Sequence, residues 1–323
     1  MKIIIVKLSA IGDIVHSLIV LEYIKLHYPD AKIDWVVESR FAKILKNHHH
    51  IDTLFELNLK EFFRNKEARK LTLSSLKKLR KNEYDIAFDL QGLLKSAILT
   101  KLLRAKKRVG FDKESIREPA ASWFYTNSFR IAYEENIIKR NLFLIQKAFS
   151  LPAYEIENKP PLLRVKNEAT YVDILLVLGS SWKSKIYPKE LLKEYIELLK
   201  EHSIWLCYGS QKEEKMAKEL ASSTHALLAP KVNLDKLKEL ISQSRVVVGP
   251  DSGPTHMAWA MNKPSITIYG PTPFWRNSYE TKINLTIDSK EEIDPKKLDK
   301  NSNCISKINP KDIANLTKRL LGG

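Results

Sequence analysis

A carboxylate lies in a short loop between the first apolar run of the chain and the first helical pattern. The loop, LSAIGD at 8–13, follows KIIIVK and precedes residues 14–27, whose apolar side chains recur at helical spacing. Gly12 permits a tight turn or the close approach of another group. Asp13 fits two roles, an acid at a helix N-terminus or a general base at the floor of a cleft. The spacing is neither GxGxxG nor that of a P-loop, so neither nucleotide site is indicated here.

A second loop, GPDSGPTH at 249–256, is suited to binding an anion. It joins the strand-like run at 245–249 to a helical pattern, and Pro254 suits the first position of that helix. Ser252 and Gly253 then leave backbone N–H groups at the helix start, where a diphosphate can bind. From these residues alone, Asp251 is equally well explained as a helix cap, and His256 as a packed side chain.

Two further loops follow apolar runs. GSSWKSK at 179–185 combines hydroxyl groups and lysines at the end of a strand-like run. These residues can bind phosphate oxygens, but an ordinary solvated loop explains them as well. YGPTP at 269–273 is fully explained as a rigid turn.

The elements that must position these loops alternate between strand and helix. The first half predicts strands at 2–8, 32–37, 53–57, 85–89 and 108–111 and helices at 14–27, 41–46, 67–81 and 96–103. After a proline-rich linker at 152–161, strands are predicted at 172–178, 204–208, 227, 245–249 and 265–269 and helices at 189–202, 213–222, 234–242, 255–261 and 310–320. This alternation predicts two α/β domains with parallel sheets, and a site outside the carboxyl ends of the strands.

Composition excludes several classes of protein. The chain has 323 residues, of which 44% are hydrophobic and only 2 are cysteine, so disordered and disulfide-stapled classes are excluded. We expect neither a signal peptide nor a membrane span. The net charge of +16 is concentrated at 60–108, where 15 basic residues face 5 acidic ones. This stretch is either a solvated face or a surface that meets phosphates and carboxylates.

Six segments together resemble the ADP-heptose:lipopolysaccharide heptosyltransferases of glycosyltransferase family 9. They are VKLSAIGD at 6–13, DLQGLLKSA at 89–97, REPAASWFY at 117–125, GSQKEE at 209–214, DSGPTH at 251–256 and YGPTP at 269–273. DLQGLLKSA and REPAASWFY resemble the corresponding segments of the family members that add the first heptose to Kdo. Two departures concern the donor pocket: Trp259 stands where a small residue is usual, and the stretch at 273–277 is unusual.

The resemblance implies a GT-B architecture, in which two Rossmann-like α/β domains face each other across a cleft. It implies an acceptor-binding domain at 1–155 and an ADP-heptose-binding domain at 162–323, with the final helix at 310–320 packing back on the first domain. Asp13 matches the catalytic base. The donor-binding positions are Ser180, Ser181, Lys185, Glu213, Val232, Asp251, Ser252, Gly253 and His256, and the acceptor-binding positions are Lys60, Arg64, Arg117 and Arg140.

The implied reaction moves L-glycero-D-manno-heptose from ADP-heptose to Kdo of Kdo2-lipid A with inversion. The resemblance implies no cofactor, and the absence of a DxD-type acidic pair favours a metal-independent transfer. The implied location is cytoplasmic, with peripheral association at the cytoplasmic face of the inner membrane of a Gram-negative cell. Two alternatives remain, a different core acceptor such as a second heptose, and a basic nucleic-acid-binding protein. The second is disfavoured because 60–108 has few aromatic residues among its basic ones.

Overall fold

The chain forms two compact units that divide inside the predicted linker. The computed structural model describes residues 1–165 and 169–322, and its units are Met1–Pro160 and Pro161–Gly323. Each unit holds one parallel sheet with helices, so the predicted fold class, two Rossmann-like α/β domains, is confirmed.

The sheet of the first unit has the order β3-β2-β1-β4-β5-β6 among its described residues, and all its pairings are parallel. The strands are β1 (Lys2–Val6), β2 (Lys32–Glu38), β3 (Thr53–Leu57), β4 (Glu83–Asp89), β5 (Arg104–Phe111) and β6 (Asn127–Phe129). The helices are α1 (Ile11–Ser17), α2 (Ile19–His27), α3 (Ala42–Leu45), α4 (Lys66–Leu79), α5 (Leu94–Leu102) and α6 (Ile137–Phe149). Short 3-10 helices cover Ser39–Phe41, Pro119–Phe124 and Ile156–Asn158.

The central strands of this sheet are apolar on both faces. Ile3, Ile4 and Ile5 of β1 are fully buried, and Ile5 pairs in register with Trp35 of β2 and Phe88 of β4. Burial on both faces is typical of parallel strands covered by helices. The loops at the strand ends are therefore the main places for polar side chains, although Asp34 of β2 is buried and accepts the Tyr84 hydroxyl at 2.8 Å.

Several predicted boundaries in the first unit differ from the structure. The pattern at 14–27 forms two helices, α1 and α2, which meet at Leu18. The strand predicted at 108–111 begins at Arg104, because the basic side chains at its start are largely exposed and interrupt the apolar pattern.

Two elements of the first unit were not predicted, β6 and α6. β6 has only three residues, of which two are exposed. The apolar pattern of α6 is interrupted by Arg140 and Asn141, which are both buried. The Asn141 side chain donates a hydrogen bond to the Ser17 hydroxyl of α1 at 3.1 Å, so it pairs within the core.

In the described part of the second unit the sheet has the order β12-β11-β10-β7-β8-β9, again parallel throughout. The strands are β7 (Val172–Val177), β8 (Ile204–Cys207), β9 (Leu227–Leu228), β10 (Ser244–Pro250), β11 (Ser265–Tyr269) and β12 (Asn284–Asp288). The helices are α7 (Lys189–Glu197), α8 (Gln211–Ser223), α9 (Leu237–Ser242), α10 (Gly253–Ala260), α11 (Phe274–Asn277) and α12 (Pro310–Leu321). Lys183–Lys185 and Cys304–Lys307 are 3-10 helices.

The final helix, α12, buries its apolar face within the second unit. Ile313 and Ala314 belong to the core of that unit. The Thr317 hydroxyl of α12 and the Tyr195 hydroxyl of α7 form a hydrogen bond of 3.0 Å. Residues of α12 cover β10 and β11. The expectation that this helix also packs back on the first domain stays a prediction.

The other differences in the second unit lie at the ends of elements, at one edge of the sheet and at α11, a short helix that was not predicted. The helix predicted at 189–202 ends at Glu197, and the edge strand β12, with its alternating polar residues, was not predicted. Among the described residues, no helix combines the length and the apolar character that crossing a membrane requires.

Candidate active site

Polar loops of the first unit meet at one edge of its sheet. Because all the strands are parallel, the loops that follow β1, β3, β4 and β5 leave the same edge. The loop after β1 leads to Asp13 in the first turn of α1, and the loop after β3 carries Lys60 and Arg64. Gln91 follows β4, and Arg117 follows β5. The structure thus brings to one edge the predicted base and three of the four basic residues predicted for the acceptor.

The structure shows Asp13 in one of the two roles that the sequence left open, that of an acid at a helix N-terminus. It lies in the first turn of α1, where one carboxylate oxygen, Oδ2, accepts the backbone N–H of Ala10 at 3.1 Å. The other oxygen, Oδ1, accepts no hydrogen bond from the residues that the structure describes, and the side chain is partly exposed. The cap fixes the orientation of the carboxylate and leaves Oδ1 able to accept a proton.

The loop that carries Asp13 is held by Gln91. The Gln91 side-chain oxygen accepts the backbone N–H groups of Leu8 and Ser9, each at 3.1 Å. This orientation of Gln91 depends in turn on Asp89, whose carboxylate accepts the backbone N–H groups of Gln91 at 2.8 Å and Gly92 at 3.1 Å. Gly92 has φ +66°, a conformation that favours glycine.

The Asp89 carboxylate has a second supporting partner. The Tyr125 hydroxyl donates to it at 2.8 Å, which joins the segments DLQGLLKSA and REPAASWFY in one network. Burial raises the pKa of Asp89 above its usual value, although these hydrogen bonds oppose the shift. Asp89, Gln91 and Tyr125 are positioning residues that are absent from the predicted site, although the segments at 89–97 and 117–125 that contain them carry the family resemblance.

Three of the predicted acceptor-binding residues are available to a ligand. Lys60, Arg64 and Arg117 are exposed, and none of them forms an ion pair within the described ranges 1–165 and 169–322. The loop that bears Lys60 is anchored, because the Lys60 backbone N–H donates to the buried Glu38 carboxylate at 3.0 Å. These three side chains form an unpaired cationic group at the same edge as Asp13.

Arg140, the fourth predicted acceptor-binding residue, is not part of this group. Its side chain is only 3% exposed, and its guanidinium donates to the backbone carbonyls of Ser115, at 2.5 Å, and of Ile131 and Ala132. It also lies over the Phe111 ring. The assignment of Arg140 to acceptor binding is therefore corrected: its donors are used to hold the segments around 115 and 131.

The second unit places its predicted donor-binding residues at the carboxyl edge of its own sheet. The loops after β7, β8, β9, β10 and β11 leave this edge together. They carry the predicted residues Ser180, Ser181, Lys185, Glu213, Val232, Asp251, Ser252, Gly253 and His256.

The centre of this edge is the buried carboxylate of Asp251. Its Oδ2 accepts Lys185 Nζ at 2.7 Å and the Thr272 hydroxyl at 2.8 Å, and its Oδ1 lies 2.8 Å from His256 Nε2. The loops after β7, β10 and β11 are thus tied to one group. Thr272 was not predicted, because its loop was interpreted only as a rigid turn.

The charges around Asp251 determine its ionisation. Burial by itself would raise the pKa of Asp251, but the positive charge of Lys185, with the hydrogen bonds and charge of His256, holds that pKa well below its usual range. Asp251 therefore stays ionised and fixes the Lys185 ammonium, which also lies 4.7 Å from the centre of the Trp182 ring. Lys185 thus has a structural role beside the predicted ligand-binding one.

The start of α10 offers hydrogen-bond donors at the same place. Ser252 is its N-cap, and the Ser252 Oγ is buried without a hydrogen-bond partner in the described part of the chain. Pro254 occupies the first turn, as predicted. The Ser180 hydroxyl donates to the Asp251 carbonyl at 2.7 Å, so it holds the loop after β7 against the start of α10. A buried hydroxyl at a helix N-terminus is well placed for an anion.

Glu213 and Val232 complete the predicted set. The Glu213 carboxylate accepts the backbone N–H groups of Gly209 at 2.7 Å and Ser210 at 3.1 Å, so it caps α8. It also lies against the loop after β7: a Cβ on Gly179 would come within 2.1 Å of it. Val232 is partly buried after β9.

The chain is similar to known proteins in both sequence and fold. The family Glycosyltransferase family 9 (heptosyltransferase) matches residues 72–304. The chain is 40% identical to lipopolysaccharide heptosyltransferase 1 of Campylobacter coli, over 100% of this chain and 99% of that protein. The solved structure of E. coli heptosyltransferase WaaC with ADP has a TM-score of 0.85 at 25% identity, covering 99% of this chain and 100% of that one. WaaC with ADP-2-deoxy-2-fluoro heptose has a TM-score of 0.80 at 26% identity, covering 99% of each chain.

The structural role of Arg140 predicts a loss of stability when its guanidinium is removed. Arg140→Met leaves the buried Ser115 carbonyl and the partly buried carbonyls of Ile131 and Ala132 without their charged donor, so we expect the free energy of unfolding to fall by about 3 kcal/mol. Urea unfolding measures this, with Arg64→Met as the matched exposed control, expected to change it by less than about 0.5 kcal/mol. Equal stability of the two variants would contradict the role given to Arg140.

Proposed function

Because this chain belongs to glycosyltransferase family 9, the heptosyltransferases, we propose that it transfers L-glycero-D-manno-heptose from ADP-heptose to a Kdo hydroxyl of Kdo2-lipid A. The observation that carries the proposal is the second unit's cluster of Lys185, Asp251 and His256 beside the N-terminus of α10. It supplies positive charge and N–H donors of the kind that a diphosphate requires. The two WaaC structures that resemble this chain hold ADP and an ADP-heptose analogue.

The donor is bound, in this proposal, at the carboxyl edge of the second unit's sheet. The diphosphate contacts the Lys185 ammonium, the Gly253 N–H group and the Ser252 hydroxyl, which has no hydrogen-bond partner among the described residues. The Ser252 N–H donates to the Thr255 hydroxyl at 3.3 Å and can share this bond with the diphosphate. When the glycosidic bond breaks, its electron pair leaves with ADP, and these donors stabilise the charge that develops. Because this cationic set is already present, we propose that the transfer needs no metal ion.

Asp13 is the general base. The Kdo hydroxyl attacks the anomeric carbon from the face opposite ADP, the new C–O bond forms as the old one breaks, and the hydroxyl proton passes to Asp13 Oδ1. The cap at Oδ2 and the Gln91 contacts to Leu8 and Ser9 hold this carboxylate before the acceptor arrives. A positioned base contributes about 10²–10⁴-fold to such a step.

The acceptor and the membrane surface meet the exposed basic group of the first unit. Lys60, Arg64 and Arg117 pair with the carboxylates of Kdo and the phosphates of lipid A, since arginine can bind such groups with two hydrogen bonds. Phe63, beside Arg64, is 90% exposed, which suits contact with the lipid interface. Each basic residue near an anionic membrane contributes about 1 kcal/mol, so the association is peripheral and reversible.

The direct test uses purified full-length protein, ADP-heptose and Kdo2-lipid A. We expect the acceptor to gain the mass of one heptose, and we expect this gain to persist in the presence of a chelator. A gain only on an acceptor that already carries a heptose would assign the chain to a later step of core synthesis.

The position of Asp13 predicts a selective loss of turnover in Asp13→Asn. The amide keeps an oxygen for the Ala10 N–H and keeps the shape of the side chain, but it cannot take the proton. We expect kcat to fall about 10²–10⁴-fold while ADP-heptose binding, measured by calorimetry, stays within about twofold. A variant that keeps a tenth of the wild-type kcat would remove Asp13 from this role.

The two roles of Lys185 predict two losses in Lys185→Met. ADP affinity should fall about 10–100-fold, since a charge-assisted contact is worth about 1.5–3 kcal/mol. The free energy of unfolding should fall by about 3 kcal/mol, because Asp251 loses the cation that compensates its buried charge.

Calorimetry with ADP and urea unfolding separate these two losses. The matched control is Lys183→Met, an exposed lysine in the same 3-10 helix, which should leave both quantities nearly unchanged. Unaltered ADP affinity in Lys185→Met would restrict Lys185 to the structural role.

The exposed basic group predicts an effect on the acceptor alone. Arg64→Gln and Arg117→Gln should each raise the acceptor KM about 10-fold and leave the ADP-heptose KM unchanged, because the donor residues belong to the second unit. Steady-state kinetics with each substrate varied in turn measures both. Lys200→Gln, an exposed lysine of the second unit, removes the same charge as a control, and an equal change in that variant would point to a general charge effect instead.

A further inference from the structure

A cluster of metal-binding side chains lies in the first unit, apart from the edge that carries Asp13. Glu22 is on α2, and His49 and His50 are in the segment between α3 and β3. This segment leads into the amino end of β3, whereas the candidate active site lies at the carboxyl edge of the sheet. We propose that Glu22, His49 and His50 bind one divalent transition-metal ion. The proposal is independent of the heptosyltransferase activity.

The distances between the three side chains match those of a common coordination sphere. Glu22 Oε1 lies 3.2 Å from His49 Nε2, and Glu22 Oε2 lies 3.1 Å from His50 Nε2. The ligand atoms of all three residues lie within 4.8 Å of one another. Two ligands of a tetrahedral ion with bonds of about 2.0–2.1 Å are separated by about 3.3 Å. Little rearrangement is therefore needed to place an ion between them.

The donor set specifies the chemical class of the ion. Two imidazole nitrogens and one carboxylate suit Zn²⁺ and its transition-metal neighbours. Mg²⁺ and Ca²⁺ prefer oxygen ligands only, so they do not fit this set. Three protein ligands leave a tetrahedral ion with a fourth position for water.

The histidine rings are held in place by one another. The His48 and His49 rings stack with centroids 4.7 Å apart and an interplanar angle of 14°, and the His49 and His50 centroids are 4.0 Å apart. The buried His48 accepts the backbone N–H of His50 at its Nδ1, at 3.2 Å. His48 is thus a positioning residue, since such support orients the ligands of a metal site.

The surroundings permit an ion to enter. Glu22, His50 and His49 have side-chain exposures of 12%, 20% and 32%, so the site is reached from solvent but is not fully hydrated.

A bound ion would join α2 to the segment that precedes β3. Because the three ligands come together only in the folded chain, the ion would stabilise the folded state by mass action. At 100 times its Kd, an ion of this kind should raise Tm by about 5 °C.

The test uses the full-length protein without an affinity tag, treated with a chelator and then dialysed. We expect Zn²⁺, added in calorimetry, to bind at one ion per chain and to raise Tm, and we expect Mg²⁺ to do neither. Co²⁺ should give the visible absorption of a tetrahedral complex, and Zn²⁺ should displace it. An absence of Zn²⁺ binding, or binding of several ions per chain with no rise in Tm, would overturn the proposal.

Three variants locate the ion. Glu22→Gln, His49→Asn and His50→Asn should each weaken Zn²⁺ binding at least about 10-fold, while circular dichroism shows that the fold is kept. His225→Asn removes an exposed histidine of the second unit and should leave binding unchanged. Equal Zn²⁺ affinity in all four variants would place the ion elsewhere and contradict the proposal.

Discussion

Within each sheet all the described strands are parallel, and this arrangement determines where polar and reactive side chains can lie. Parallel strands covered by helices leave few places for polar side chains other than the loops at the strand ends. In the first unit this places Asp13, Lys60, Arg64, Gln91 and Arg117 at one edge, although they are spread over more than a hundred positions of the sequence. In the second unit the loops after β7, β10 and β11 meet in the same way.

Each unit then uses one buried aspartate to fix the loops at its edge. Asp89 ends β4, beside β1, and Asp251 follows β10, beside β7. The partners of the two carboxylates differ, and so does their electrostatics. Asp89 accepts neutral N–H and O–H groups, and burial raises its pKa, whereas Asp251 is paired with Lys185 and keeps a pKa well below its usual range. The first arrangement orients a backbone loop, and the second also fixes the position of a buried ammonium group.

The sequence predicted the architecture better than it predicted the partners of individual side chains. Apolar runs and helical spacing are local signals, so β3 and β11 were predicted at their observed bounds and the linker at the observed division. Arg140 was misassigned because its acceptors, Ser115 among them, are up to 25 positions away in the sequence. The Lys185–Asp251 ion pair could not be predicted for the same reason, because its residues are 66 positions apart in the sequence. Only the folded chain shows that a cation suited to a ligand is already bound by a carboxylate.

The Asp251 cluster also constrains how the sequence can diverge. Lys185 after β7, His256 in α10 and Thr272 after β11 converge on one carboxylate. A neutral residue at 251 would leave a buried ammonium group without its counter-charge, and a neutral residue at 185 would do the same to the carboxylate. We therefore expect single replacements at these positions to be disfavoured unless a second replacement restores the charge balance. The four positions should change together among related sequences or remain fixed together.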